Sequence, residues 1–211
     1  MTLATALDLF YQHCRVRNLS PLTLKRYHAD LSAWCAWRAR HGYSPALVDV
    51  TIDDLRAYLD YLLYEHIPHG SNPQRRADDT IGCAPETVSS VRKRIHTAWM
   101  FWDAENLLSE AQKAFFVRGR IPAPKVPEQI RPTYRRDLLD TLLAATERGQ
   151  VPETAARDRA IILLLFDTGM RVAELCSVDD EQVELAEQRA IITGKGNKQR
   201  HMFWTSASGR Y

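Results

Sequence analysis

The sequence lacks any uninterrupted apolar run approaching the roughly 20 residues that a helix needs to cross a bilayer. Its first residues also lack the basic segment and the small-residue cleavage site of a secretory signal. We therefore expect a cytoplasmic protein without a membrane partner.

Cysteine is scarce, with four residues in a chain of 211, and no two of them stand at the short spacing of a zinc site or a disulfide framework. This argues against a disulfide-stapled secreted domain and against a metal centre. With 45% hydrophobic and 26% charged residues, the chain has enough apolar material for the core of one or two soluble domains.

A large excess of charge of one sign is also missing, since the net charge is +2, but the charges are segregated along the chain. Residues 111–136 contain seven bases and one acid, whereas residues 137–187 contain twelve acids and four bases. Residues 188–211 contain five bases and no acid. This distribution favours a polyanion held at separate places, although a basic run can also be a solvated linker.

Apolar residues recur at helical spacing in four segments of the first 106 residues. Ser20 and Pro21 supply an N-cap and a first-turn proline for the second helix, and Pro85 opens the fourth. Four amphipathic helices predict a compact bundle, which we place at residues 1–110. Prolines and glycines within residues 67–84 predict a long exposed loop.

Four prolines within residues 119–133 indicate a domain boundary, and we place an extended basic linker at residues 111–133. Beyond it, residues 134–147 and 155–167 predict two helices. The second is apolar on every side around residues 160–166, so we expect it to be buried. Gly169 ends that helix, and a short helix follows at residues 171–177.

The C-terminal part of the chain contains two strand-like segments, residues 189–193 and 199–204, separated by Gly-Lys-Gly-Asn-Lys. This pattern predicts a β-hairpin with Lys195 at its tip. A nucleotide-binding P-loop does not fit, because its lysine precedes Ser or Thr at the start of a helix. A purely structural turn and an exposed lysine that meets a ligand both remain possible.

Arg171 lies directly after the apolar helix, within Thr-Gly-Met-Arg-Val-Ala-Glu-Leu at residues 168–175. An arginine at such a place must reach solvent, pair with an acid or bind an anion. Glu174 lies one turn further along the same face. A local Arg–Glu pair and an anion site are therefore both open.

The motif at residues 168–175, followed by Thr-Gly-Lys-Gly-Asn-Lys at residues 193–198, resembles the first half of the catalytic domain of tyrosine recombinases, the phage-integrase and Xer-like family. The Ser20-Pro21-Leu22-Thr23 helix start, the four helices and the proline-rich linker resemble the N-terminal domain of that family. The resemblance implies a mainly α fold with a small β-hairpin or sheet. It consists of a four-helix SAM-like core-binding domain and, at residues 134–211, the first half of an α+β catalytic domain.

The resemblance also implies roles for single residues. Arg171 matches the first catalytic arginine, which holds the scissile phosphate, and a guanidinium fork suits phosphate geometry. Lys195 matches the hairpin lysine that acts as general acid toward the 5′-oxygen leaving group. Glu174 matches a supporting carboxylate. The implied reaction cleaves and rejoins DNA strands through a 3′-phosphotyrosine, with no metal, nucleotide or other cofactor.

The family's His-x-x-Arg motif and its nucleophilic tyrosine lie downstream of the hairpin. No His-x-x-Arg follows the hairpin here, and Tyr211 is too close to Lys195 to match the nucleophile. The sequence therefore predicts a recombinase catalytic domain without its second half. We expect this chain to bind DNA without cleaving it.

The resemblance further implies a C-shaped clamp around double-stranded DNA, with copies of the chain or related recombinases as partners in a synaptic complex associated with the nucleoid. Helical geometry and the basic segments then supply candidate DNA contacts. The candidates are Lys25, Arg26, Ser90, Arg92, Lys93, Arg94, Thr97, Lys125, Lys198 and Arg200.

Two functions of other classes remain. One is a non-catalytic DNA-binding regulator derived from a recombinase, which would use the same surface. The other is a helical protein–protein adaptor with no nucleic-acid role. Binding to DNA that weakens with salt would argue against the adaptor.

Overall fold

A computed structural model describes residues 1–68, 81–128, 130, 133, 135–148, 151–194, 196 and 198–205. These residues form a mostly helical fold with one small antiparallel sheet, which confirms the predicted fold class. The chain divides into two compact units, Met1–Glu128 and Gln129–Tyr211. No helix in the described part of the chain is long and apolar enough to cross a membrane.

The first unit is a helical bundle whose helices begin at recognisable caps. Its helices are α1 (Leu3–Val16), α2 (Pro21–Arg40), α3 (Ile52–Tyr64), α4 (Pro85–Ala104) and the short α5 (Glu110–Lys113). At the start of α2, the Ser20 hydroxyl accepts a hydrogen bond from the Thr23 N–H at 3.3 Å, and Pro21 is the first helical residue. The predicted loop between α3 and α4 lies outside the described residues at positions 69–80.

Tryptophans hold the bundle together through both packing and hydrogen bonds. Trp99 and Trp102 on α4 are almost fully buried. The indole N–H of Trp102 donates to the Ala6 carbonyl at 2.8 Å, and that of Trp99 donates to the Gln112 carbonyl at 2.9 Å. These bonds satisfy two buried indole groups and fix α4 against α1 and against the segment that contains α5.

The segment after α5 also packs on this unit, although we assigned it to the linker. Phe115 and Ile121 are buried in the core of the bundle. The guanidinium group of Arg56 donates to the Arg120 carbonyl at 2.9 and 3.2 Å, and Arg92 Nε donates to the Ile121 carbonyl at 2.7 Å. The first part of the predicted linker is therefore held on the bundle, because its apolar side chains find space there.

Within its described residues, the second unit combines three α-helices with a three-stranded sheet. Its elements are α6 (Arg136–Thr146), α7 (Pro152–Thr168), α8 (Val172–Leu175), β1 (Val183–Glu184), β2 (Arg189–Gly194) and β3 (Lys198–Phe203). The strands pair antiparallel in the order β1-β2-β3. The β2–β3 pair confirms the predicted hairpin. The sequence does not predict β1, because two residues are too few to show an alternation of apolar and polar side chains. Ala190, Ile192, Met202 and Trp204 form the buried face of the sheet.

Residues 155–167 form a helix as predicted, but the prediction that this helix is buried is wrong. None of the side chains of α7 is buried, and Ile161 and Phe166 are 37% and 51% exposed. A helix that is apolar on every side needs cover on every side, but within the described residues α6 and the sheet cluster cover only part of it. An open apolar groove of about 630 Å³, which includes Leu142, Ile162 and Phe166, remains between α6 and α7.

Candidate phosphate-binding site

The turn after α7 brings Arg171 to the surface. Gly169 has a φ of +62°, a left-handed conformation that glycine adopts without strain, and it ends α7 as predicted. Met170 is 5% exposed and packs with the buried face of the sheet. Because Met170 is anchored, the next residue, Arg171, leaves the core at a defined position just before α8.

Glu174 holds Arg171 at two places. The Arg171 backbone N–H donates to Glu174 Oε2 at 2.9 Å, and Arg171 Nη1 donates to Oε1 at 2.8 Å. The side chain of Glu174 is 5% exposed, whereas that of Arg171 is 66% exposed. The local Arg–Glu pair, one of the two alternatives that the sequence leaves open, therefore exists, but most of the guanidinium stays exposed. Among the residues that the structure describes, only Nη1 of that guanidinium has a protein acceptor.

A second arginine, Arg200, reaches the same carboxylate from β3. Its Nη1 lies 3.3 Å from Glu174 Oε1, and its Nη2 lies 3.0 Å from Oε2. Two guanidinium groups on one carboxylate leave a net charge of +1 on the cluster. These are charge-assisted hydrogen bonds, which are about twice as strong as neutral ones.

The sequence predicts Arg200 only as a general DNA contact and does not indicate its contact with Glu174. A partial signal was present in the alternation of the strand. Arg200 and Met202 are two residues apart on β3, so they share a face of the strand, and Met202 is buried. A charged residue on that face needs an acidic partner.

The surroundings of Glu174 lower its pKa to about 2, chiefly because the Arg171 backbone N–H donates to its carboxylate. Burial opposes this effect, but the guanidinium groups of Arg200 and Arg171 add to it. The carboxylate therefore stays ionised at neutral pH, where it orients both arginines.

Lys195 lies outside the described residues, as do Asn197 and Tyr211, so the predicted role of Lys195 stays a prediction. The residues at the root of the hairpin are described. Gly194 ends β2, and a Cβ at that position would lie 3.1 Å from Glu174 Oε1. The hairpin that carries Lys195 therefore starts beside the arginine cluster.

Most of the remaining DNA-contact candidates have exposed side chains. On the helical unit, Ser90 is half-buried and the others face solvent. The exposed candidates are Lys25, Arg26, Lys93, Thr97, Lys125 and, in the second unit, Lys198.

Arg92 and Arg94 differ from these candidates because they already have partners within the bundle. Arg94 forms an ion pair with Asp30 of α2, and each of the two side chains is 25% exposed. Besides its bond to the Ile121 carbonyl, Arg92 lies over the Phe116 ring at 5.6 Å, and burial lowers the pKa of Arg92. Both arginines therefore hold parts of the bundle together.

Residues 133–209 match the phage integrase family, and this range includes the whole arginine–glutamate cluster. Over 180 residues, the chain is 39% identical to the tyrosine recombinase XerC of Mycobacterium bovis (strain BCG / Pasteur 1173P2), covering 84% of this chain and 53% of that protein. The chain belongs to the tyrosine recombinase family. A tyrosine recombinase XerC of Mycobacterium sp. (strain KMS) is 28% identical over 201 residues, covering 93% of this chain and 59% of that protein. The chain thus spans little more than half the length of these relatives.

Solved integrase structures share the fold of this chain. A lambda integrase dimer bound to a COC′ core site matches with a TM-score of 0.62 at 20% identity, covering 95% of this chain and 62% of that chain. The Tn1549 transposon integrase in complex with a circular intermediate DNA matches with a TM-score of 0.66 at 13% identity, covering 100% and 63%. At these identities the similarity concerns the fold alone.

Proposed function

We propose that this chain is part of a site-specific DNA recombinase or integrase and that it binds double-stranded DNA. The observation that carries the proposal is the exposed guanidinium of Arg171, which is fixed on one side by the buried carboxylate of Glu174. A guanidinium held in this way can still donate two hydrogen bonds to one phosphate group. The net charge of +1 on the cluster adds to the attraction.

In the proposed site each residue has a distinct task. Arg171 binds the non-bridging oxygens of a backbone phosphate and offsets the charge that grows in the transition state of strand cleavage. Lys195, at the tip of the hairpin, supplies a proton to the 5′-oxygen in the complete enzyme. Glu174 orients Arg171, because a carboxyl group with a pKa of about 2 is a poor proton donor at neutral pH.

We further propose that surface residues of both units, most of them exposed, contact DNA phosphates. Basic and hydroxyl side chains are suited to this role because they donate hydrogen bonds to phosphate oxygens. The proposed contacts are Lys25, Arg26, Ser90, Lys93, Thr97, Lys125 and Lys198. We assign Arg92 and Arg94 to the stability of the bundle instead.

The role of Arg171 can be tested with a matched pair of variants. We expect Arg171→Ala to weaken binding to a labelled DNA duplex about tenfold, because it removes charge-assisted bonds to phosphate. Arg189→Ala is the control, since Arg189 lies in the same unit but pairs with Glu184 and Glu187. Fluorescence anisotropy measures both affinities. Equal affinities for the two variants would exclude Arg171 from the interface. If replacing Arg171 and Lys195 by alanine left the biological function of the chain intact, the non-catalytic DNA-binding regulator would be favoured instead.

We also propose that these 211 residues do not cleave DNA, because no His-x-x-Arg follows the hairpin within them. Incubation with nicked duplexes that trap a covalent intermediate should leave protein and DNA separate on a denaturing gel. A protein–DNA adduct that survives denaturation would show that the chain contains a working nucleophile.

A further inference from the structure

Arg200 lies far from Glu174 in the sequence but contacts its carboxylate with both Nη1 and Nη2. The two residues are 26 positions apart, and both terminal nitrogens of Arg200 point to the carboxylate oxygens. The carboxylate is buried, while the Arg200 side chain is 48% exposed. A planar guanidinium with two contacts to a carboxylate fixes the orientation of both groups.

Glu174 passes this orientation on to Arg171. Its Oε1 accepts from both Arg171 Nη1 and Arg200 Nη1, and its Oε2 accepts from the Arg171 backbone N–H and from Arg200 Nη2. Each carboxylate oxygen therefore has one partner on the α8 side and one on the hairpin. Rotation of the carboxylate would break bonds to both arginines.

Gly194 makes the close approach of these groups possible. A Cβ at this position would lie 3.0 Å from Arg200 Nη1 and 3.1 Å from Glu174 Oε1, which is tighter than ordinary contacts. Gly194 is also paired with Lys198 at the end of the β2–β3 ladder. The contact between Arg200 and Glu174 is therefore built into the root of the hairpin.

We propose that Arg200 is a positioning residue: it holds the Glu174 carboxylate against the root of the hairpin and thereby sets the direction in which Arg171 presents its guanidinium. Its role as a phosphate-site residue rests on the proposed function, in which Arg171 meets a DNA phosphate. Arg200 then acts on DNA through Arg171. It is not the separate phosphate contact that the sequence predicts.

The first test measures the link to Glu174 without DNA. We expect Arg200→Ala to raise the pKa of the Glu174 carboxyl. NMR measures this pKa from the chemical shift of the carboxyl carbon during a pH titration. Arg200→Lys should raise it too, because an ammonium group cannot contact both oxygens as a guanidinium does. Arg189→Ala, which removes the same charge from the same sheet, should leave it unchanged. An unchanged Glu174 pKa in both Arg200 variants would overturn the proposal.

A second variant serves if Arg200→Ala does not fold. Gly194→Ala keeps the charges of Arg200 and Glu174 but adds a methyl group that crowds both side chains. We expect the same rise in the Glu174 pKa, with circular dichroism reporting whether each variant keeps its helices. A folded Gly194→Ala protein with the wild-type Glu174 pKa would contradict the arrangement.

The third test asks whether Arg200 acts through Arg171. With a labelled DNA duplex of random sequence as probe, we expect Arg200→Ala alone to weaken binding about threefold and Arg171→Ala about tenfold. The double variant should bind no more weakly than Arg171→Ala. If the two losses multiply instead, Arg200 is an independent phosphate contact and the proposal fails. If Arg171→Ala has no effect at all, the proposed function fails, while the titration still decides the role of Arg200.

Discussion

Glu174 controls the candidate site, because one buried carboxylate holds both Arg171 and Arg200. Its pKa falls from 4.5 to about 2 in the folded chain, so the folded state favours the ionised form more strongly than the unfolded state does. The resulting stabilisation is complete above the unfolded pKa and is lost as the pH falls toward the folded pKa.

This linkage predicts how a neutral substitute behaves. We expect Glu174→Gln to lower the Tm at neutral pH, and we expect its difference from the wild type to shrink as the pH falls from about 5 to about 2. At about pH 2 the Glu174 carboxyl is close to half protonated in the folded chain, so most of the advantage of the ionised form is lost. Thermal unfolding followed by circular dichroism measures the difference, with Glu184→Gln in the same unit as control. A difference that does not change with pH would argue against the ionised cluster.

At the scale of elements, α4 carries two kinds of basic residue side by side. Lys93 is exposed, whereas Arg94 forms an ion pair with Asp30 and so links α4 to α2. The same helix therefore serves the bundle on one side and, as we propose, DNA on the other.

Neighbouring alanine substitutions separate these roles. We expect Arg94→Ala to lower the free energy of unfolding by about 1–3 kcal/mol, because it leaves Asp30 without its charged partner. Lys93→Ala should change that free energy by less than about 0.5 kcal/mol but should weaken binding to duplex DNA. Urea unfolding and anisotropy titrations measure the two quantities. A stability loss at Lys93, or none at Arg94, would reverse the assignment.

Local sequence signals predicted where elements begin and end. Ser20 and Pro21 open α2, and Gly169 closes α7 in a left-handed conformation, because caps and stops depend on a few adjacent residues. The position of Arg171 in the site followed from the same local signals.

Features that depend on distant residues could not be predicted in this way. The exposure of α7 is set by how much apolar surface the rest of its unit supplies, and the packing of Ile121 depends on space within the bundle. The contact between Glu174 and Arg200 joins residues that are 26 positions apart. Alternation in β3 indicated which face Arg200 occupies but not which acid it meets.

At the scale of the whole molecule, exposed basic residues occur in both units. Lys25, Arg26 and Lys93 lie in the helical unit, and Arg171 and Lys198 lie in the unit with the sheet. The net charge of only +2 means that general attraction to a polyanion is weak, so the proposed DNA binding relies on these particular residues. Each phosphate that a basic side chain neutralises releases counterions and makes binding more sensitive to salt.

The most direct test of the account is the salt dependence of binding between this chain and duplex DNA. We predict that the logarithm of the binding constant falls linearly with the logarithm of the salt concentration, with a slope steeper than about −3. Such a slope means that basic side chains contact more than about three phosphates. Arg171→Ala should make the slope shallower by about 1, and Arg189→Ala should not change it. No binding at low salt, or an affinity that salt does not alter, would contradict the account.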